Sequence, residues 1–469
     1  MKMQKTNKRI IIVLYALVIV FIFLVLYLAY FQIVKADKIV NNEYNSRLWV
    51  DETKYIRGEI TDRNGTVIAQ TIDGADGEKI RNYPFGSLYC HVLGYASTDY
   101  GKTGLEQSYN KELLNITKNT PIDEIKNLVI ENTKGNDIRT TLDTELQSYA
   151  SELMEGHKGS VILMNPKTGE VYAMVSKPGF DPNNISGDWD NLINDNRSPL
   201  LNRSTQGLYT PGSVIKVITA TAILESADRV DMNYHDEGST VVDGYTINNF
   251  EHIAHGDINL QWALVHSSNA YFVDKALEVG PAKMTEVFNR FMFNREIPFD
   301  LNTEISMSPF KEDMTTSDLA AAAYGQGKTL VTPLNMALSI SAIANEGKMV
   351  KPILVSRIIK SDGELVRNIN TESLSQATSA EVANDLKEYL KTVVENYSTA
   401  QIPGLSSGGK TGTAETGSGL THAWYVGFAP YEDPKFAVAV VLEEDGTLGG
   451  TTAAPIGARL MERANELIE

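Results

Sequence analysis

The sequence predicts an α+β chain in three parts: a single transmembrane helix, a β-rich spacer, and a larger domain whose five-stranded antiparallel sheet is flanked by helices. Three observations carry this expectation. One uncharged apolar run lies near the N-terminus, short strands and polar turns dominate the stretch after it, and the remainder reads as two strands, a helical block, three strands and a closing helix.

From Ile10 to Phe31 no residue carries a charge or an amide side chain. At about 1.5 Å per residue, such a run crosses about 30 Å of hydrocarbon. Lys2, Lys5, Lys8 and Arg9 precede it, while Lys35, Asp37 and Lys38 come after it with a weaker positive balance. The positive-inside rule therefore expects residues 1–9 as a cytoplasmic tail, 10–31 as the membrane span and the rest outside the cell membrane. A cleaved signal peptide is the weaker reading, because its apolar region spans about 7–15 residues and ends at a small-residue cleavage site.

Residues 32–136 form the expected spacer, or pedestal. Arg57-Gly58-Glu59-Ile60-Thr61-Asp62-Arg63-Asn64-Gly65 reads as a short strand closing on a turn, and with Val67-Ile68-Ala69 it predicts a β-hairpin. Gly86, Gly94, Gly101 and Gly104 punctuate the rest of the spacer, and a helical stretch is expected near Pro121 to Glu131.

The larger domain is expected over 137–469. Leu142, Leu146, Tyr149 and Leu153 recur at helical spacing. Strands at Ser160 to Met164 and Glu170 to Val175 are joined by Asn165-Pro166-Lys167-Thr168-Gly169, a turn sequence. Helices are expected at Thr315 to Tyr324 and Pro333 to Asn345. Three more strands, Ser407 to Glu415, His422 to Ala429 and Phe436 to Leu442, precede a helix over Pro455 to Ile468. A sheet assembled from both ends of this domain accounts for the order.

A formal charge of −17, from 59 acidic and 42 basic residues, argues against a nucleic-acid partner, which needs a basic face. The single cysteine, Cys90, excludes an intramolecular disulfide and a multi-thiolate metal site, and reads as a small core residue. No metal and no cofactor is expected.

Candidate chemistry lies in short motifs that are each weak alone. Ser-x-x-Lys starts at Ser108, Ser213, Ser308 and Ser407, and Lys-Thr-Gly starts at Lys102, Lys167 and Lys410. Context separates them. Lys167 sits in a hairpin turn, Pro309 makes a nucleophile helix at Ser308 inconvenient, and Ser108 lies in the spacer, where an exposed turn is expected. Ser213, by contrast, comes after Pro211-Gly212 and opens an apolar run of helical length. Lys216 stands one helical turn on, within expected reach of the Ser213 hydroxyl, the spacing that a serine nucleophile and lysine base require. Ser267-Ser268-Asn269 and Lys410-Thr411-Gly412-Thr413 succeed it in order. The glycines at 408, 409 and 412 leave the last strand open to close approach by another backbone, so a peptide can add to it as a strand.

Ser-x-x-Lys, Ser-x-Asn and Lys-Thr-Gly in that order resemble the signature of penicillin-binding proteins and class A β-lactamases. Almost the whole chain resembles a class B penicillin-binding protein, in the short penicillin-binding protein A-like form without a glycosyltransferase domain or C-terminal repeats. The segment Arg57 to Gly65, Gly325-Gln326-Gly327 with Val331-Thr332-Pro333-Leu334, and Lys410 to Glu415 carry the likeness. The resemblance implies a peptidoglycan D,D-transpeptidase. Ser213 would attack the D-Ala–D-Ala carbonyl of a stem peptide, release D-alanine and pass the acyl group to a neighbouring amine; β-lactams would acylate the same serine. Lys216 is then the base, its pKa lowered by burial and by Lys410. Ser267 relays a proton and Asn269 holds the substrate amide. Backbone N–H groups of Ser213 and Thr413 form the oxyanion hole, and Thr411, Gly412 and Thr413 line the carboxylate site with Lys410 behind them. It also implies a polytopic membrane glycosyltransferase of the shape, elongation, division and sporulation type as partner.

Rival readings are a β-lactamase, a D,D-carboxypeptidase and a β-lactam sensor or scaffold. No Glu-x-x-Leu-Asn lies between Asn269 and Lys410, and Glu112-Leu113-Leu114-Asn115 is on the wrong side of Ser213 for the deacylating glutamate of class A enzymes. A carboxypeptidase differs only in using water as acceptor, so the spacer decides for transpeptidation. An intact Ser213/Lys216 pair argues against a pure sensor. His422 and Trp424 alternate on a strand and read equally as site lining or as sheet packing.

Overall fold

In the computed structural model of the protein, residues 2–32, 56–75, 77–115, 134–396 and 398–468 are described. Helix α1 (Lys2–Tyr30) contains the apolar span Ile10–Tyr30, with mean hydropathy 3.3 and none of it buried. Apolar side chains so displayed are stabilised by hydrocarbon and not by water, and the length suffices to cross it. The helix expected at 121–131 lies outside the described residues.

The spacer opens with β1 (Ile60–Thr61) and β2 (Val67–Asp73), the hairpin read from the sequence, and continues with β3 (Lys79–Asn82). Asp62 closes the turn. Its buried carboxylate accepts from the backbone N–H of Asn64 and Thr66, both at 2.8 Å, and from the Thr144 hydroxyl at 2.6 Å. Strand β4 (Asp137–Thr140) then leads into α2 (Thr144–Leu153), capped by Asp143, whose side chain accepts from Glu145 and Leu146.

The larger domain contributes β5 (Gly159–Met164) and β6 (Val171–Lys177), then α3 (Lys216–Leu224), α4 (Leu260–His266), α5 (Asn269–Val279), α6 (Thr316–Ala323) and α7 (Pro333–Ala344). Strands β7 (Val355–Ile359) and β8 (Leu365–Asn368), helix α8 (Ala380–Asn396), strands β9 (Gly408–Glu415), β10 (Thr421–Ala429) and β11 (Phe436–Leu442), and helix α9 (Ala453–Leu467) complete it.

Its main sheet runs β9-β10-β11-β5-β6, antiparallel throughout, so the C-terminal strands dock onto the N-terminal ones as expected. Both faces are covered: α7 packs on β11 from one side, and α9 on β10 and β11 from the other. That is why β11 is apolar at every position instead of alternating, with all seven residues buried. Strands β9 and β6 are the sheet's two edges.

The second large sheet runs β8-β7-β4-β1-β2-β3. It crosses the expected 136/137 boundary, because β4 pairs in parallel with β1 and antiparallel with β7, a strand from far downstream. Tyr109 fastens the same joint by donating to Asp300 Oδ1 at 2.5 Å, while Asp300 Oδ2 accepts from Leu354 N at 2.9 Å.

Candidate active site

Ser213 lies in the 3-10 turn Gly212–Ile215, which runs directly into α3. Glycine is required around it. Gly212 has φ +55°, and its N–H donates to Gly325 O at 2.9 Å; a Cβ on Gly325 would stand 2.0 Å from Gly212 O. A Cβ on Gly412 would stand 3.0 Å from Pro211 O and from Val214 N. These glycines let the serine turn, the Gly325 loop and β9 meet backbone to backbone.

Lys216 is fully buried one turn beyond Ser213. Its amine donates to Ser267 O at 2.7 Å and Asn269 Oδ1 at 2.6 Å, and lies 3.3 Å from Ser267 Oγ. Lys410, also buried, donates to Ser267 Oγ at 3.1 Å and to Thr411 O at 3.1 Å. Lys216, Ser267, Asn269 and Lys410 thus form one hydrogen-bonded cluster drawn from three distant segments. Contrary to the contact expected from spacing, no hydrogen bond joins Ser213 Oγ to Lys216 among the described residues. The Ser267 carbonyl and the Asn269 amide draw the lysine instead.

Burial, and next the neighbouring Lys410, push Lys216 well below its ordinary value of 10.5, with Asp236 acting in the opposite direction. Burial alone brings Lys410 down to about 7. A neutral lysine has two N–H groups and a lone pair. With Ser267 O and Asn269 Oδ1 taking the two N–H groups, the lone pair is left to accept a hydroxyl proton.

Ser267 is held at φ +56°, ψ 38°, a left-handed conformation that costs a non-glycine residue about 1–3 kcal/mol. It forms the joint between α4 and α5. Ser268 caps α5, accepting from Tyr271 N at 3.0 Å. Asn249 Oδ1 accepts from Ala270 N at 3.0 Å, while Asn249 Nδ2 donates to both oxygens of the buried Asp236 carboxylate, at 2.9 and 2.8 Å. Asn269 Nδ2 donates to Asn248 O at 2.8 Å. Sequence reasoning missed Asp236, Asn248 and Asn249. They sit in no recognisable motif; Asp236 ends a short strand, Tyr234–Asp236, paired with Gly256–Ile258.

Thr411 and Thr413 are half-buried two apart on β9, so they share a face. Among the described residues β9 pairs with β10 only, leaving its outer edge for an added strand. The Thr413 hydroxyl accepts from Gly449 N at 3.2 Å, a contact absent from the sequence reading. Gly449 is pressed onto the sheet: a Cβ there would stand 2.2 Å from Gly412 O. Trp424 is buried and donates from Nε1 to Thr210 O at 3.0 Å, while His422 Nδ1 accepts from Glu444 N at 3.0 Å. Both are packing residues that steady the approach to Ser213.

The decoy motifs stay apart from this cluster. Ser108 is exposed at the end of the short helix Gly104–Ser108, where a turn was expected. Ser308 Oγ accepts from Asn294 Nδ2 at 3.1 Å, and Lys167 pairs with Asp433 in the β5–β6 turn. Cys90 is buried, its thiol pushed up to about 12 by burial.

A sequence profile described as penicillin binding protein transpeptidase domain matches residues 159–462, and one described as penicillin binding protein A dimerisation domain matches residues 57–138. The chain is 30% identical over 456 residues to the peptidoglycan D,D-transpeptidase PbpA of Mycolicibacterium smegmatis, covering 91% of this chain and 92% of that protein. Penicillin-binding protein A from Mycobacterium tuberculosis, solved as a ceftriaxone acyl-enzyme complex, matches with a TM-score of 0.83 at 28% identity, over 88% of this chain and 99% of that one. The D,D-transpeptidase domain of a peptidoglycan glycosyltransferase from Eggerthella lenta matches with a TM-score of 0.80 at 32% identity, over 88% and 100%. With more than half of its length under the transpeptidase profile, the chain belongs to the penicillin-binding protein transpeptidase family.

Proposed function

We propose that this chain is a serine-type peptidoglycan D,D-transpeptidase, inhibited covalently by β-lactams, with Ser213 as nucleophile. The observation that carries the reading is the meeting of the buried Lys216 and Lys410 with Ser267 and Asn269 in one hydrogen-bonded cluster next to the Ser213 turn. Its relatives' names and acyl-enzyme complexes support it.

Neutral Lys216 takes the proton as Ser213 Oγ bonds to the carbonyl carbon of the penultimate D-alanine. Backbone N–H groups of Ser213 and Thr413 stabilise the oxyanion. On collapse the C–N bond breaks, and a proton passes through Ser267 Oγ, which lies between the two lysines, to the departing D-alanine amine. A second stem-peptide amine then attacks the ester, its proton returns through the same path, and Ser213 is freed as the crosslink forms. Thr411 and Thr413 on β9, with Lys410 behind them, hold the terminal carboxylate, and Asn269 the substrate amide.

The apolar α1 suits a single-pass anchor with the N-terminal tail in the cytoplasm and the catalytic domain outside. A polytopic membrane glycosyltransferase would meet the anchor and the spacer. Intact-mass analysis after benzylpenicillin, with subsequent peptide mapping, is expected to place one stable adduct on Ser213. Fast penicillin turnover would instead identify a β-lactamase. Release of D-alanine without crosslinked dimer, when an acceptor amine is supplied, would identify a carboxypeptidase.

A further inference from the structure

In a chain of net charge −17, three arginines line one cleft of about 360 Å³ at the joint between the spacer sheet and the larger domain. Arg139 on β4 and Arg357 on β7 are direct cross-strand partners. Like charges directly opposite each other on antiparallel strands repel. Arg63 enters from the β1–β2 turn, stacked 4.4 Å over the Tyr172 ring. The one carboxylate lining the cleft among the described residues, Glu170, stands 3.9 Å from Arg63 Nη2. Among the same residues, neither Arg139 nor Arg357 has an ion-pair or hydrogen-bond partner for its guanidinium. Arg63 Nη1 and Arg139 Nε are buried without a protein acceptor, although buried guanidinium N–H groups are ordinarily satisfied.

We propose that this cleft binds a phosphoryl-bearing anion, with Arg63, Arg139 and Arg357 as its donors. Three forks arriving from different backbone segments suit a tetrahedral group with several oxygens better than a carboxylate, which one guanidinium satisfies in a bidentate pair. An anion there neutralises the cross-strand repulsion and meets both stranded N–H groups. It also ties β4 to β7, the pair that carries the spacer sheet across into the larger domain.

The test is calorimetric titration of inorganic pyrophosphate into the full chain in neutral detergent. Saturable binding is expected, weakened about tenfold by Arg357→Gln, the scale of one charge-assisted hydrogen bond. Arg357 is exposed, so this variant should melt no earlier than the parent in phosphate-free buffer. Arg139→Gln is the second variant. No saturable binding by the parent chain, or binding unchanged in both variants, overturns the proposal. A second arm separates the sources: native mass spectrometry of the chain released from phosphatidylcholine and phosphatidylglycerol nanodiscs. Phosphatidylglycerol retained by the parent and lost in Arg357→Gln assigns a lipid headgroup, whereas pyrophosphate binding without retained lipid assigns a soluble phosphoryl compound.

Discussion

In the spacer, Arg57 and Arg81 close on the buried carboxylate of Glu106, at 2.5 and 2.7 Å, whereas in the active-site cleft Lys216 and Lys410 share the Ser267 hydroxyl with no carboxylate paired to either among the described residues. Burial pushes the Glu106 carboxyl up, but the two guanidiniums outweigh it and hold the group below its ordinary value. In the active-site cleft no carboxylate among the described residues touches either lysine, the more distant Asp236 opposes the depression of Lys216 without outweighing burial, and both lysines are driven down. One cluster keeps its charges and serves as a fastener. The other holds two lysines whose grip on their protons burial weakens. The difference is whether a counter-ion was buried along with the cations.

The sharpest way to break that contrast is to remove the proposed nucleophile. Ser213→Ala is expected to lose all labelling by a fluorescent penicillin while keeping the parent melting temperature; an adduct on Ser108 or Ser407 would end the assignment. Lys216→Ala should slow acylation by about 10²–10⁴-fold, the range of a general base, measured by stopped-flow labelling. In the spacer the loss should be one of stability. Glu106→Gln leaves two buried guanidiniums short of a counter-ion and should cost about 3–5 kcal/mol in denaturant unfolding. The fraction that remains folded should still acylate at the parent rate.

A smaller effect concerns pH. The proposed base works deprotonated, so the acylation rate should fall as pH drops through the depressed titration of the lysine pair, whose apparent pKa belongs to both. Asp236 opposes the depression of Lys216, so Asp236→Asn should move the acid limb to lower pH; a limb that stays put would leave Asp236 a purely structural anchor for Asn249. Smallest of all, Ser108→Ala should leave labelling unchanged, since its hydroxyl is exposed on the spacer.

The five-stranded sheet was legible almost strand by strand: Phe436–Leu442 is an unbroken apolar run, and Asn165 to Gly169 is a turn by composition. The site was legible through the order of its motifs. The partners of Lys216 were not, since spacing brings a side chain within reach of Ser213 but does not rank its acceptors. The pairing of β4 with β7 was not legible either, because it spans more than two hundred intervening positions and leaves no local periodicity.

Composition, periodicity and motif order by themselves determined the apolar helix, the α+β class and the ordered motifs that begin at Ser213, Ser267 and Lys410. Only the tertiary structure decided that Lys216 turns to Ser267 and Asn269, that Asp236 and Asn249 hold the left-handed joint at Ser267, and that three arginines line one cleft. The physical reason is common to all three. Burial, counter-charge and hydrogen-bond satisfaction depend on neighbours brought together by long-range packing, and a sequence states such neighbours only when they are also close along the chain.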